Sequence, residues 1–342
     1  MSEISMNVCI IGVGRMGRRH ITAASAAGFH LAGVFDQSRD AIAATIVECA
    51  IDKSIVFDDA EEMLRAVRPD AVVVSTTAPS HCRYVCAAAA AGVRYILCEK
   101  PMACSLEECD HMIATCDAAG VKLAVNHQMR FMEQYTNIKN LTNSPEFGGL
   151  RSMVVTASNF GLSMNASHYF EAFRYLTAEP LAEISAWFDP TNVPNPRGAQ
   201  YVDRSGQVRG VTASGIRLLI ELGGDLGHGI EVVYACRNGQ ILVDELAGFV
   251  RGIHRQAEYR DLPTTRYGMP ADEFQRKIAQ ADVTGPTVAL WRALLAGGSY
   301  PDGGSGRHAV AALVAANLSG ESGGQAIQLA NGLPRERLFA WA

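Results

Sequence analysis

The sequence lacks any apolar run long enough to cross a bilayer. Its first residues, with one acid and a brief apolar run, do not have the form of a signal peptide. It lacks a positive balance: a formal net charge of −5 sets nucleic acid and anionic membranes aside as main partners. It lacks repeats, low-complexity stretches and any second cysteine pair to match Cys82-x-x-x-Cys86. The nine scattered cysteines therefore do not spell a zinc module, and no metal site is expected. An odd number of thiols without a disulfide pattern describes buried, reduced cysteines in a cytoplasmic protein. Lysine is scarce, five against 25 arginines, so Lys53, Lys100, Lys122, Lys139 and Lys277 each stand out. What is present is an ordinary globular composition, 48% hydrophobic and 19% charged, on 342 residues, a length that suits two domains.

The strongest pattern is Asn7-Val8-Cys9-Ile10-Ile11-Gly12-Val13-Gly14-Arg15-Met16-Gly17. An apolar strand runs into a turn and then a helix, with glycines in the order G-x-G-x-x-G. Gly12 permits the tight turn, Gly14 lets backbone approach a pyrophosphate, and Gly17 lets the helix pack close to the strand. The helix N-terminus offers unpaired N–H groups and partial positive charge to the phosphates. A second apolar run, Leu31 to Phe35, ends in Asp36, where a carboxylate can take both ribose hydroxyls of an adenosine. Asp36 repels a 2′-phosphate and so favours NAD, while Ser38 and Arg39 just beyond leave NADP open.

Strands and helices then alternate: a helix over Arg39–Cys49, a strand at 54–57, a helix capped by Asp58 or Asp59, and a β-branched strand at Ala71–Val74. In a doubly wound sheet ligands sit outside the carboxyl ends of the strands. Thr76, Thr77 and His81 are therefore expected to line the cofactor cleft, with Ser80 as cap of the helix that follows. A strand over Val93–Cys98, a helix over Ser105–Ala119 with a capping box Ser105-x-x-Glu108, and a strand over Val121–Val125 complete a parallel sheet. Glu99-Lys100-Pro101 stands at the carboxyl end of the fifth strand. A partly desolvated lysine beside an oxidised nicotinamide would have a lowered pKa and could polarise a carbonyl or hydroxyl; a plain strand exit is the competing reading.

At this point the chain resembles the glucose–fructose oxidoreductase and inositol dehydrogenase (Gfo/Idh/MocA) family over nearly its whole length. The resemblance is carried by Gly12-Val13-Gly14-Arg15-Met16-Gly17 with Asp36, by Glu99-Lys100-Pro101, by Arg130-Phe131 with Tyr135, and by His168-x-x-Glu171 running into Phe173-Arg174-Tyr175-Leu176. It implies a Rossmann domain followed by a domain built on a large, mostly antiparallel open sheet. It also implies NAD(P)-dependent oxidation or reduction of a sugar-like polyol, and dimers or tetramers formed through the open sheets. Cofactor contacts are then expected at Gly12, Gly14, Arg15, Met16, Asp36, Thr76, Thr77, His81, Glu99, Lys100 and Asn126, and substrate contacts at Arg130, Asn165, His168 and Tyr169.

In the second half a helical pattern covers Asn126–Asn143 and a strand Leu150–Ser158. His168 and Glu171 lie one helical turn apart, so the carboxylate could orient the ring. A histidine beside Tyr169 and Phe170 is more often a packing residue; the resemblance makes it the proton acceptor facing the nicotinamide. Many members carry an aspartate four residues before that histidine. Here Met164 stands in its place with Asn165 next to it, so the acid–base work falls on His168 and Lys100.

After a strand at Leu181–Phe188, Asp189–Gly198 reads as an irregular loop. Closely spaced strands follow at 207–213, 216–222, 230–236 and 241–243, the last two joined by the Asn238-Gly239 turn, which signals an antiparallel sheet. An arginine-rich stretch from Arg251 through Arg255 and Arg260 to Arg266 suits either an anionic substrate or an exposed sheet edge. Helices are expected over Ala271–Ala281, Pro286–Leu295 and Gly306–Leu318.

The sequence thus describes an α/β protein. Residues 1–125 form a dinucleotide-binding Rossmann domain with a doubly wound parallel sheet, and residues 126–342 an α+β domain for substrate and oligomerisation. The expected activity is hydride transfer between a nicotinamide and one hydroxyl or carbonyl carbon of a sugar, sugar acid, cyclitol or sugar nucleotide, with Lys100 and His168 catalytic. Met164 motivates an alternative, a dinucleotide-binding sensor of the same fold without turnover.

Overall fold

A computed structural model describes residues 6–159, 161–265, 267–279 and 282–342. The chain forms two compact units. The first comprises 1–131, 282–310 and 334–342, and the second comprises 132–281 and 311–333. A single boundary at 125/126 therefore does not describe the chain.

The first unit contains β1 (Asn7–Ile11), α1 (Arg15–Ala26), β2 (His30–Phe35), α2 (Arg39–Cys49), β3 (Val56–Phe57), α3 (Ala60–Val67), β4 (Ala71–Val74), α4 (His81–Ala90), β5 (Tyr95–Cys98), α5 (Leu106–Ala118) and β6 (Lys122–Val125). Its six strands are all parallel, in the order β3-β2-β1-β4-β5-β6. The β-branched run of β4 is buried along its whole length, as a strand covered on both faces requires. The strand expected at 54–57 is mostly a 3-10 turn over Lys53–Ile55, leaving a two-residue β3. Asp59 caps α3, and its side chain accepts from the Glu62 N–H at 2.8 Å.

The chain returns to this unit because its core needs it. Leu290, Trp291 and Leu294 are fully buried in one cluster with Val8, Ile10, Val34 and Val73. Trp291 meets Phe29 edge-on at 4.8 Å between ring centroids. Near the C-terminus the Trp341 indole donates to the Ala103 carbonyl at 2.9 Å, and the Phe339 N–H donates to that of Cys104.

The second unit carries α6 (Glu133–Thr142), β7 (Leu150–Ser158), α7 (Ser167–Thr177), β8 (Leu181–Asn192), β9 (Arg204–Thr212), β10 (Arg217–Gly223), β11 (Ile230–Cys236), β12 (Gly239–Asp244), β13 (Phe249–Arg255) and β14 (Ala271–Lys277). Then come α8 (Thr284–Ala296) in the first unit, α9 (Gly303–Glu321), and β15 (Ile327–Gln328) in the second. The nine-stranded sheet runs β14-β13-β12-β11-β7-β10-β9-β8-β15, antiparallel except for the β7–β10 pair.

Three expectations fail here for identifiable reasons. The helix expected at 271–281 is the edge strand β14, because Phe274 packs over Gly252 and onto Phe147 while the backbone pairs with β13; Ala281 lies outside the described residues. The loop expected from Asp189 is the continuation of β8 to Asn192. Pro190 is tolerated there because the register shifts between Phe188 and Asn192, where no ladder donor is required. The single helix expected over 126–143 is a 3-10 turn at Gln128–Phe131 followed by α6.

The tightest constraint in the first unit is at Gly17, where a Cβ would lie 2.1 Å from the Gly12 carbonyl oxygen. Gly17→Ala should therefore cost about 1–3 kcal/mol of stability or more, read as a lower urea midpoint at unchanged slope.

Candidate active site

The glycine turn has the shape its sequence predicts. Gly12 adopts φ +91°, its N–H donates to the Phe35 carbonyl at 2.7 Å, and a Cβ there would meet the Thr76 N at 2.6 Å. Gly14 is different. It has an ordinary negative φ, and nothing lies within 4 Å of where its Cβ would be. Gly14 also stands at the N-cap of α1, where no side chain caps the helix and no acid occupies the first turn. Open space in front of uncapped N–H groups suits an anion. Arg15 is exposed and Met16 half-buried beside it.

At the end of β2, Asp36 takes the Val13 N–H on one carboxylate oxygen and the Ser38 N–H on the other, each at 2.8 Å. The backbone thus fixes the carboxylate, and each oxygen keeps acceptor capacity for a hydroxyl. Thr76 and Thr77 are half-buried at the exit of β4. Ser80, expected to cap α4, instead turns its hydroxyl back onto Thr76 Oγ1 at 2.7 Å and the Thr77 carbonyl at 3.0 Å.

Two expected cofactor contacts prove to be supports. His81 is buried: Nδ1 faces the carbonyls of Pro101 and Met102 at 3.0 and 3.3 Å, and Nε2 faces that of Thr76 at 3.1 Å. Burial holds its pKa below the ordinary imidazole value, against the pull of those carbonyls and of Glu99. The ring therefore ties α4 to the loop after Lys100 and is not offered to a ligand.

Glu99 is likewise buried. One oxygen takes His20 Nε2–H at 2.8 Å and Asn126 Nδ2–H at 2.7 Å, and the other takes the Lys100 backbone N–H at 3.2 Å. Burial alone would favour the neutral acid. The bond and charge of His20, then Lys100 and Asn126, outweigh it and hold Glu99 well below the usual carboxylate range. Lys100 is half-buried at the strand exit that this carboxylate fixes. Asn126 is buried with its amide on Glu99, and Arg130 is buried with Nη1 3.5 Å from Ser299 Oγ.

In the second unit a π-helical turn, Leu162–Ala166, leads directly into α7. Asp203 lies beneath it, fully buried, and accepts from the Ser163 N–H at 2.8 Å, the Ser163 hydroxyl at 2.7 Å and the Met164 N–H at 3.4 Å. A negative charge at the start of a helical segment is favourable. Gly161 makes room for it, since a Cβ there would overlap the Asp203 carboxylate. Asn165 and His168 are half-buried on this segment. Glu171 is buried and held by Arg174 in a forked pair at 2.8 and 3.3 Å.

Tyr169, expected to touch substrate, is buried: its hydroxyl donates to Glu245 at 2.9 Å, and Tyr135 donates to the other oxygen of the same carboxylate. Burial pushes the Glu245 pKa up, the two tyrosine bonds opposing it. The arginine-rich stretch behaves as a sheet edge: Arg251 pairs with Glu273, and Arg255 Nη1 reaches the carbonyls of Tyr259, Arg260 and Leu262; Arg266 lies outside the described residues.

His20, Asp203 and Glu245 were not singled out by sequence reasoning. His20, three residues after Gly17 on an amphipathic helix, carried a weak signal; the two acids carried none.

Residues 6–127 match the model of an oxidoreductase family with an NAD-binding Rossmann fold, GFO_IDH_MocA. The chain is 31% identical over 148 residues to an inositol 2-dehydrogenase from Serratia proteamaculans, covering 42% of this chain and 43% of that one. It is 36% identical over 123 residues to a D-apiose dehydrogenase from Paraburkholderia graminis, covering 36% and 32%. The matched stretch thus spans less than half the length of these relatives. Among solved structures, a UDP-N-acetylglucosamine 3-dehydrogenase from Acidithiobacillus ferrooxidans superposes with a TM-score of 0.74 at 21% identity, covering 93% of this chain and 98% of that one. An oxidoreductase from Agrobacterium radiobacter, in complex with NAD+, L-tartaric acid and magnesium, gives 0.76 at 18%, covering 95% and 99%. At these identities the likeness is one of fold.

Two substitutions separate the site from its supports. Gly14→Ala meets no atom and should change stability by no more than about 0.5 kcal/mol, yet weaken dinucleotide binding by at least about tenfold in calorimetric titration. Glu245→Ala removes the shared acceptor of two buried tyrosine hydroxyls and should cost about 1–3 kcal/mol in urea denaturation, with Glu245→Gln losing less.

Proposed function

We propose that this chain, whose residues 6–127 match the Rossmann model of the Gfo/Idh/MocA oxidoreductase family, is an NAD(P)-dependent dehydrogenase or reductase of that kind. It acts on one hydroxyl or carbonyl carbon of a sugar, sugar acid, cyclitol or sugar nucleotide. The observation that carries the reading is the contrast between two glycines: Gly17 is closed against backbone, while Gly14 faces open space at an uncapped helix start. Only the second glycine is unexplained by packing, and a pyrophosphate explains it. Asp36, held by two backbone N–H groups, suits the adenosine ribose and favours NAD over NADP.

The bound nicotinamide supplies or accepts the hydride. In the oxidative direction His168 takes the proton of the substrate hydroxyl, and the Lys100 ammonium stabilises the oxyanion that develops. Met164 holds neither charge nor proton, and Asn165 contributes hydrogen bonds to substrate. Arg15, Met16, Thr76 and Thr77, at the turn and strand exits, complete the cofactor contacts. His81, Glu99, Asn126 and Tyr169 act by holding backbone and neighbouring side chains in place.

Nine free cysteines support a reducing compartment such as the cytoplasm. Among the described residues no helix is long and apolar enough to cross a membrane. Trp187 and Leu219 leave large apolar side chains exposed on the second sheet, which supports a homodimer or homotetramer.

The test is turnover, followed by reduced-nicotinamide absorbance, across a panel of cyclitols, aldoses, sugar acids and sugar nucleotides with NAD and NADP. His168→Ala and Lys100→Ala should each lower kcat within the range of about 10²–10⁴-fold while leaving NAD affinity nearly unchanged. NAD binding without turnover on the whole panel, or wild-type kcat in His168→Ala, would overturn the reading.

A further inference from the structure

Cys82 and Cys86 lie one turn apart on α4 and therefore share a face. No second cysteine pair follows in the sequence, but the fold supplies a third donor from another element. His111, on α5, brings an imidazole nitrogen to the same place: this nitrogen and the two Sγ atoms lie within 4.8 Å of one another. The juxtaposition is built by facing helix stripes. His111 and Thr115 share a face of α5, and Cys86 Sγ lies 3.7 Å from Thr115 Oγ1. Glu108, one turn before His111, is close enough for its charge to act on Cys82. The cysteines are half-buried and His111 is exposed, so the cluster opens to solvent on one side.

We propose that Cys82, Cys86 and His111 form a binding site for a thiophilic divalent cation of the zinc type, independent of the dinucleotide. Two thiolates and one imidazole are a donor set that zinc takes in tetrahedral geometry, with the solvent-facing fourth position filled by water. Zinc bonds of about 2.3 Å to sulfur and about 2.0 Å to nitrogen put neighbouring donors about 3.6–3.8 Å apart. The three donors lie within 4.8 Å of one another, about 1 Å from that spacing. The cation cross-links α4 to α5. At its first residue, His81, α4 also faces the loop after Lys100, through the carbonyls of Pro101 and Met102.

The test uses the full chain, reduced and stripped of metal, titrated with Co²⁺. The expected result is saturable binding with a sulfur-to-cobalt charge-transfer band and the visible bands of a tetrahedral site, both displaced by Zn²⁺. The double substitution Cys82→Ser/Cys86→Ser should abolish the charge-transfer band, and His111→Ala should weaken binding by at least about 10–100-fold. Cys49→Ser, at the end of α2, should leave both unchanged. Zn²⁺ should raise the Tm of the wild-type protein and not that of the double-serine variant, a comparison that stays valid if the substitutions alter stability. The proposal is overturned by absence of a thiolate band, by a band that survives in the double-serine variant, or by unchanged affinity in His111→Ala.

Discussion

The first unit depends on one buried carboxylate. Glu99 receives hydrogen bonds from the α1 side chain His20, from Asn126 just after β6, and from the backbone N–H of Lys100. Three segments that end at the carboxyl edge of the sheet thus share a single acceptor. An ionised carboxylate without these donors would be expelled from the interior, because desolvating a charge costs several kcal/mol even after relaxation. With them, its oxygens are engaged by charge-assisted bonds, which are shorter and stronger than neutral ones. A carboxylate can only accept, so against an ionised Glu99 it is His20 Nε2–H that donates. The position of Lys100 follows from this arrangement, as the residue bonded to Glu99 by its own backbone.

The second unit repeats the device with two acids around one segment. Asp203 holds the beginning of the π-helical turn through Ser163 and Met164, and Glu245 holds Tyr169, the residue after His168. Between these anchors lie Asn165 and His168. Ser167 adds a local bond, its hydroxyl donating to the Ser163 carbonyl at 2.9 Å. A π-turn widens the helix by one residue and is found often at functional sites. Here it is the stretch that carries Met164 and Asn165. The turn itself holds no carboxylate, while Asp203, some forty residues on, fixes its backbone.

What the sequence revealed and what it hid divide by range. The glycine motif was legible because each glycine answers a local question of dihedral or contact: Gly12 needs its positive φ, and Gly17 touches a carbonyl five residues away. The parallel order of the first sheet was legible because burial on both faces leaves continuous apolar strands. By contrast, Glu99 is a cofactor contact only by the family resemblance, and no local pattern shows what it bonds. Its partners, His20 and Asn126, are 79 and 27 residues distant and invisible to spacing. His81 and Tyr169 were misplaced for the same reason, their acceptors lying on other elements. In β14 the apolar residues Ala271 and Phe274 stand three apart, as on a helix face, and period-2 alternation is missing because an exposed edge strand needs only one apolar anchor, Phe274.

A rule of exposure follows from these corrections. Polar side chains that are wholly buried, namely His20, His81, Glu99, Asn126, Asp203 and Glu245, carry bonds to backbone or to other side chains and so fix positions. Asp36, Thr76, Thr77, Lys100, Asn165 and His168, at the ends of strands or on the turn, are only half-buried. Burial excludes solvent around a support and makes its hydrogen bonds costly to break, which is what a rigid frame needs. A proton acceptor needs the opposite, an approach for the substrate and freedom to change charge without a large desolvation cost. The same residue cannot satisfy both demands. On the proposed reading, a chain that commits so many acids and histidines to its frame leaves its chemistry to a few partly exposed side chains.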